Sequence, residues 1–139
     1  MTQDTGDHVL IRLSDTDLTL SQQGEDIRDR KVVDRHGDEI GHVSALFVDP
    51  REKRVRMLQV GAGGFLGLGE RHFLLPVEAV TRVTRDEVHV DQTRERVVNS
   101  PRYDPDLIVR PNRDFWEPYY GYYGTPPFWV AGYLPPPPY

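Results

Sequence analysis

Five histidines, a glycine-rich run, several carboxylate pairs and two arginine clusters are the groups with which this sequence could do chemistry. His36 sits in a polar turn, His42 and His89 fall in apolar alternating stretches, His72 opens another, and His8 lies near the N-terminus. No two of them have the close spacing of a zinc motif. Cysteine is absent, which removes thiolate ligands, disulfides and thiol nucleophiles together. Ser44, His42 and Asp49 make a triad only on paper, because no Gly-x-Ser-x-Gly elbow presents the serine. Asp38-Glu39 and Asp86-Glu87 sit at turns, where acidic residues serve solvation. No catalytic residue, metal site or cofactor is therefore expected.

The run Gly61-Ala62-Gly63-Gly64-Phe65-Leu66-Gly67-Leu68-Gly69 has the glycines to bring backbone N–H groups close to a phosphate. A nucleotide fingerprint needs a helix next, however, and Phe73–Leu75 reads as a strand; Leu66 also stands where a third glycine would fall. The run is expected to be a hairpin loop carrying Phe65, Leu66 and Leu68, either folded inward or offered to a partner. Arg51, Lys53, Arg54 and Arg56 are interleaved with Asp49 and Glu52, and Arg94, Arg96 and Arg102 form a second group. Either could touch phosphate, but a solvated, ion-paired face is the plainer reading. The formal charge of −5 argues against nucleic acid as a general partner.

Four zones must position these groups. Residues 1–24 are polar with net charge −3; Val9, Ile11 and Leu13, then Leu18 and Leu20, follow a period of two. They suggest one or two short strands, or an arm that orders against a barrel or a partner. From about Glu25 to Asp91 the pattern predicts strands at Lys31–Val33, Ile40–Val48, Arg54–Val60, Phe73–Leu75, Ala79–Val83 and Glu87–Asp91. The turn Arg35-His36-Gly37-Asp38 and the Asp49-Pro50 stop separate them. In Arg54–Val60, strict alternation would put Val55, Met57 and Gln59 on one face and Arg56, Leu58 and Val60 on the other. Six short strands with no helical period between them predict a small antiparallel barrel or sandwich. Closure would also remove exposed sheet edges.

A short helix is expected over Thr93–Asn99, capped by Asp91 or Thr93 and stopped by Pro101. The last 29 residues, 111–139, hold eight prolines and ten of the chain's fourteen aromatics. Proline and glycine interrupt every run there, so no regular core is expected, and Pro135–Pro138 should favour polyproline II. Disordered segments are usually poor in aromatics, so this tail is expected to pack on something. Phe115, Trp116, Tyr119, Tyr120, Tyr122 and Tyr123 are the candidate binding residues, being of types enriched at interfaces. The alternatives are packing on the chain's own barrel, recognition of another protein, and adhesion to a membrane surface.

The run Arg28-Asp29-Arg30-Lys31-Val32-Val33-Asp34-Arg35-His36-Gly37-Asp38-Glu39-Ile40-Gly41 resembles the opening of the PRC-barrel family. The likeness continues through Val43, Leu46-Phe47-Val48-Asp49, Val55–Val60, Phe73-Leu74-Leu75-Pro76-Val77 and Val88-His89-Val90. It covers about Asp26 to Asp106. The family includes the cytoplasmic domain of the photosynthetic reaction centre H subunit and, more distantly, the ribosome maturation factor RimM. The H subunit is the nearer likeness, continuing through Ser100-Pro101-Arg102 to Tyr119-Tyr120-Gly121, although its N-terminal membrane helix has no counterpart in this sequence.

The resemblance implies a mainly β protein: a small antiparallel PRC-type barrel over residues 25–110, its short helix included, between an N-terminal arm (1–24) and a Pro/aromatic-rich tail (111–139). It also implies a non-catalytic protein-binding module, an adaptor or scaffold that could pair with a second copy of itself. An RNA- or ribosome-associated assembly factor and a peripheral component of a membrane electron-transfer complex are the competing readings. No stretch approaches about 18 apolar residues and Met1–Asp7 lacks the pattern of a signal peptide, so the expected location is the cytoplasm, with at most peripheral membrane contact.

Overall fold

The computed structural model describes residues 10–21, 23–63, 70–106 and 112–134. These contain seven strands: β1 (Ile11–Arg12), β2 (Lys31–Val33), β3 (Glu39–Asp49), β4 (Arg54–Ala62), β5 (Arg71–Pro76), β6 (Val80–Val83) and β7 (Glu87–Val90). Two helices follow, α1 (Arg94–Val98) and α2 (Arg113–Tyr123). One sheet runs β5-β4-β3-β2-β7-β6, with β1 added against the second half of β3.

The expected mainly β fold is therefore present, with two corrections. The sheet is mixed, because β2 and β7 pair in parallel, Lys31 opposite Glu87 and Val33 opposite His89. It is also a curled half-barrel: among the described residues no ladder joins β5 to β6, the two ends of the order.

Curling places one core inside the sheet. Ile27, Val32, Val43, Leu46, Leu58, Val60, Leu75, Val88 and Val97 are all fully buried there. Val88 and Val90 point inward as their alternation requires. Among the described residues of the N-terminal zone only β1 is strand, while Leu20 and Leu18 pack on this core from irregular backbone. Ala79 belongs to a single 3-10 turn, Val77–Ala79, and the next strand starts at Val80. The turn before β3 relies on Gly37, whose φ of +90° a side chain would resist. Gly41 answers a different need, since a Cβ there would stand 2.0 Å from the Gly61 carbonyl oxygen where β3 and β4 cross closely.

A bulge corrects the expected faces of β4. Phe47 pairs with Met57 and Val48 with Val55, leaving Arg56 as an extra residue. The insertion resets the alternation. Val55 then faces the inner core with Leu58 and Val60, while Met57 faces outward to a second cluster. Arg56 points to that outer side too, which positions it for the contacts described below.

Asp34 fastens three elements at once. Its carboxylate accepts from the backbone N–H groups of His36 (2.8 Å), Asp38 (2.9 Å) and Arg94 (3.0 Å), joining the end of β2, the following turn and the start of α1. Thr93 caps α1 by accepting from Arg96 N–H at 3.1 Å. Burial alone would raise the Asp34 carboxyl, but the three donors outweigh it and hold the group below its ordinary value. Its contribution is therefore present above the unfolded-state pKa and lost as pH falls through the folded value. Asp34→Ala should cost about 1–3 kcal/mol at neutral pH, and urea unfolding should show the gap from wild type closing under acid conditions.

Candidate interaction surface

The outer face of β1, β3, β4 and β5 is apolar, with Leu10, Phe47, Met57 and Leu74 almost wholly buried. Their cover is the tail. The tail, expected to build no regular core, forms α2 over residues 113–123 and packs it on this face. Asn112 caps it by accepting from Phe115 N–H at 3.2 Å, and Gly124 closes it. Pro118 lies inside and costs about 3 kcal/mol in a helix interior. Burial of Trp116 (0% exposed), Tyr119 and Tyr120 against the sheet offsets it. Trp116 meets Phe47 edge-on at 5.0 Å between centroids, and Phe115 meets Trp116 at 4.9 Å.

Of the six tail aromatics expected to bind a partner, Trp116, Tyr119 and Tyr120 are thus spent on the chain's own sheet, because α2 turns them inward. Tyr123 packs against the inner core from the side, and Tyr122 donates from its hydroxyl to the Arg96 carbonyl at 2.6 Å while stacking under the Arg96 guanidinium. Phe115 is half-buried and lines an open cleft. Phe65, Leu66 and Leu68 lie outside the described residues.

That surface is a cleft of about 870 Å³ along β5, the terminal strand of the sheet. One wall is Glu70–Phe73 and the other is Ser100–Asp106, with Phe115 at its end. The second wall touches the strand edge through a single antiparallel bridge, His72 opposite Tyr103. Tyr103 is fixed by a polar chain: its hydroxyl donates to Gln59 Oε1 at 3.0 Å, and Gln59 Nε2 donates to Ser44 Oγ at 3.0 Å. Burial pushes its phenol above the ordinary value. Tyr119 holds the far wall by donating to the Arg102 carbonyl at 2.7 Å, and burial lifts that phenol to about 12.

A notch opens at the head of the cleft. His42 and His72 both stand opposite Gly61, one on each side of β4. Gly61 has no Cβ, and one there would stand 3.1 Å from the Glu70 carboxylate, which lies 3.3 Å from His72 Nε2 and 3.9 Å from His42 Nε2. Among the described residues no group of three or more such side chains is arranged to hold a metal ion.

Two members of the first arginine cluster turn inward, while Arg51 and Lys53 are exposed. Arg54 pairs at 2.6 Å with Glu25, which is 2% exposed, and Arg56 is buried beside Asp49 and Glu52. Neither presents its charge as a phosphate-binding face. Among the described residues no helix is long and apolar enough to cross a membrane.

The sequence reading missed the cleft because its walls come from segments about thirty residues apart, brought together by the His72–Tyr103 bridge. No curated protein matches this chain. The family model for the PRC-barrel domain matches residues 23–97. These bounds take in β2 to β7 and nearly all of α1, and with the curled sheet they show that the chain belongs to the PRC-barrel domain family.

Proposed function

We propose that this chain is a non-catalytic protein-interaction module, an adaptor or scaffold whose partner enters the β5 cleft as an extended segment. The observation that carries the reading is a terminal strand bordered by a cleft, with one isolated bridge on its outer edge. A strand edge offers unpaired N–H and C=O groups to another chain. The charged side chains along the cleft, Arg71 and Arg102 against Glu70, Asp104 and Asp106, suit a mixed-charge peptide better than a small molecule. Small-molecule sites are mostly apolar, with few polar groups.

The RNA-binding alternative rests on Arg51, Arg54 and Arg56; the inward pairing of Arg54 and Arg56 counts against it and leaves Arg51 exposed. The test is competition between surfaces. Arg71→Glu with Arg102→Glu should weaken capture of a partner from host extract by about tenfold or more. Thr81→Glu, on the exposed face of the opposite terminal strand β6, should leave it unchanged. Equal capture by all variants, or recovery of RNA alone, would overturn the proposal.

A further inference from the structure

The end of the tail crosses the bulged arginine of β4. Arg56 lies 4.9 Å from the Phe128 ring centroid and 5.7 Å from that of Tyr133, with its side chain 5% exposed. Its charge is already met by Glu52 at 3.1 Å and Asp49 at 3.7 Å. A third carboxylate, Glu78, stands in the same neighbourhood and accepts a hydrogen bond from the Tyr133 hydroxyl, 55 residues away in sequence. Glu78 Oε1 is buried with no hydrogen-bond partner among the described residues, and the same is true of the nearby Tyr120 hydroxyl. One guanidinium thus faces three carboxylates, and the one with an orphaned buried oxygen is the one that ties down the tail.

We propose that Glu78 and Tyr133 form a proton-operated latch, which holds residues 126–134 over Arg56 and loosens them when Glu78 ionises. The charged and titratable groups facing Glu78 are Arg56 on β4, Tyr120 on α2 and Tyr133 on the tail itself, and Asp49 on β3 stands beside Arg56 and Tyr120. Burial raises the Glu78 carboxyl, and the Tyr133 bond and the Arg56 charge only partly oppose it. Lifting the tail returns the carboxylate to water. A group whose pKa is raised in the closed state favours that state at low pH and loses the preference as pH rises through the raised value.

The chain's two tryptophans make the test direct. Trp116 is fully buried under α2 and stays silent to a soluble quencher, whereas Trp129 sits on the latched segment, edge-on to Tyr120 at 5.7 Å. Acrylamide quenching of the full chain should rise roughly twofold or more between about pH 5 and about pH 9. In Glu78→Gln it should stay flat. Amide hydrogen exchange on the unmodified chain supplies a second readout. The N–H groups of Val130 and Tyr133, bonded to Pro127 and Val130 carbonyls, should lose protection over the same range beyond the change in chemical rate. Quenching independent of pH in wild type, an unchanged titration in Glu78→Gln, or constant protection of those amides would overturn the latch.

Discussion

Glu25→Ala is expected to cost the fold about 3 kcal/mol, at the lower end of the range for breaking a buried ion pair from one side. Glu25 Oε2 accepts from Arg54 Nε at 2.9 Å and Nη2 at 2.6 Å, and Oε1 accepts from the Val55 backbone N–H at 3.1 Å. The carboxylate is 2% exposed but the Arg54 side chain is 17% exposed, so water relieves part of the stranded positive charge. The same side chain anchors the single turn Gln23–Glu25 to the start of β4, and with it the entry into the barrel. Total stabilities of such domains run about 5–15 kcal/mol, so a loss of this size would be plain in urea unfolding. Pairing Glu25→Ala with Arg54→Leu should recover part of it, because the second change removes the unpaired cation. A loss under about 1 kcal/mol would mean that this pair is not a structural anchor.

The second large effect concerns α2. Trp116→Ala is expected to cost about 3–5 kcal/mol, as for a fully buried large aromatic. Removal of everything after Arg110 should do more, uncovering Leu10, Phe47, Met57 and Leu74 together. The truncated chain should bind a hydrophobic dye and aggregate on heating. Trp116→Phe should be mild by comparison, since the indole Nε1 is buried without a hydrogen-bond partner among the described residues. A truncated chain that unfolds at the wild-type temperature would show that the tail is a separable arm and not the second layer of the fold.

The sequence made the barrel legible because its strands carry their own signals. Period-two apolar residues, turn residues at Arg35–Asp38 and the Asp49-Pro50 stop mark β2 to β4 with local chemistry alone. The parallel β2–β7 pair was not legible, because pairing between strands more than fifty residues apart leaves no local trace. The Arg56 bulge was hidden for a similar reason, since it is a mismatch between two strands and only the pairing reveals it. In the tail a signal existed and was outweighed. Trp116, Tyr119, Tyr120 and Tyr123 fall at i, i+3, i+4 and i+7 behind an Asn cap, the period of an amphipathic helix. Pro118 masked it, since its propensity penalty is real, but burial of three aromatics exceeds that penalty. Of the candidate binding residues, Phe115 lies at the end of the cleft. The anchoring roles of Glu25 and Asp34 left no local signal, because they depend on donors supplied by distant backbone.

Site-specific photo-crosslinking in the native host tests whether the β5 cleft receives a protein partner. A photoreactive residue placed at Arg71 or at Asp104, on opposite walls, should yield the same discrete protein adduct. The same group at Thr81 on β6 should yield none. An adduct of twice the chain mass would identify the partner as a second copy. Adducts from Thr81 but not from either wall, or none from any position, would contradict the account.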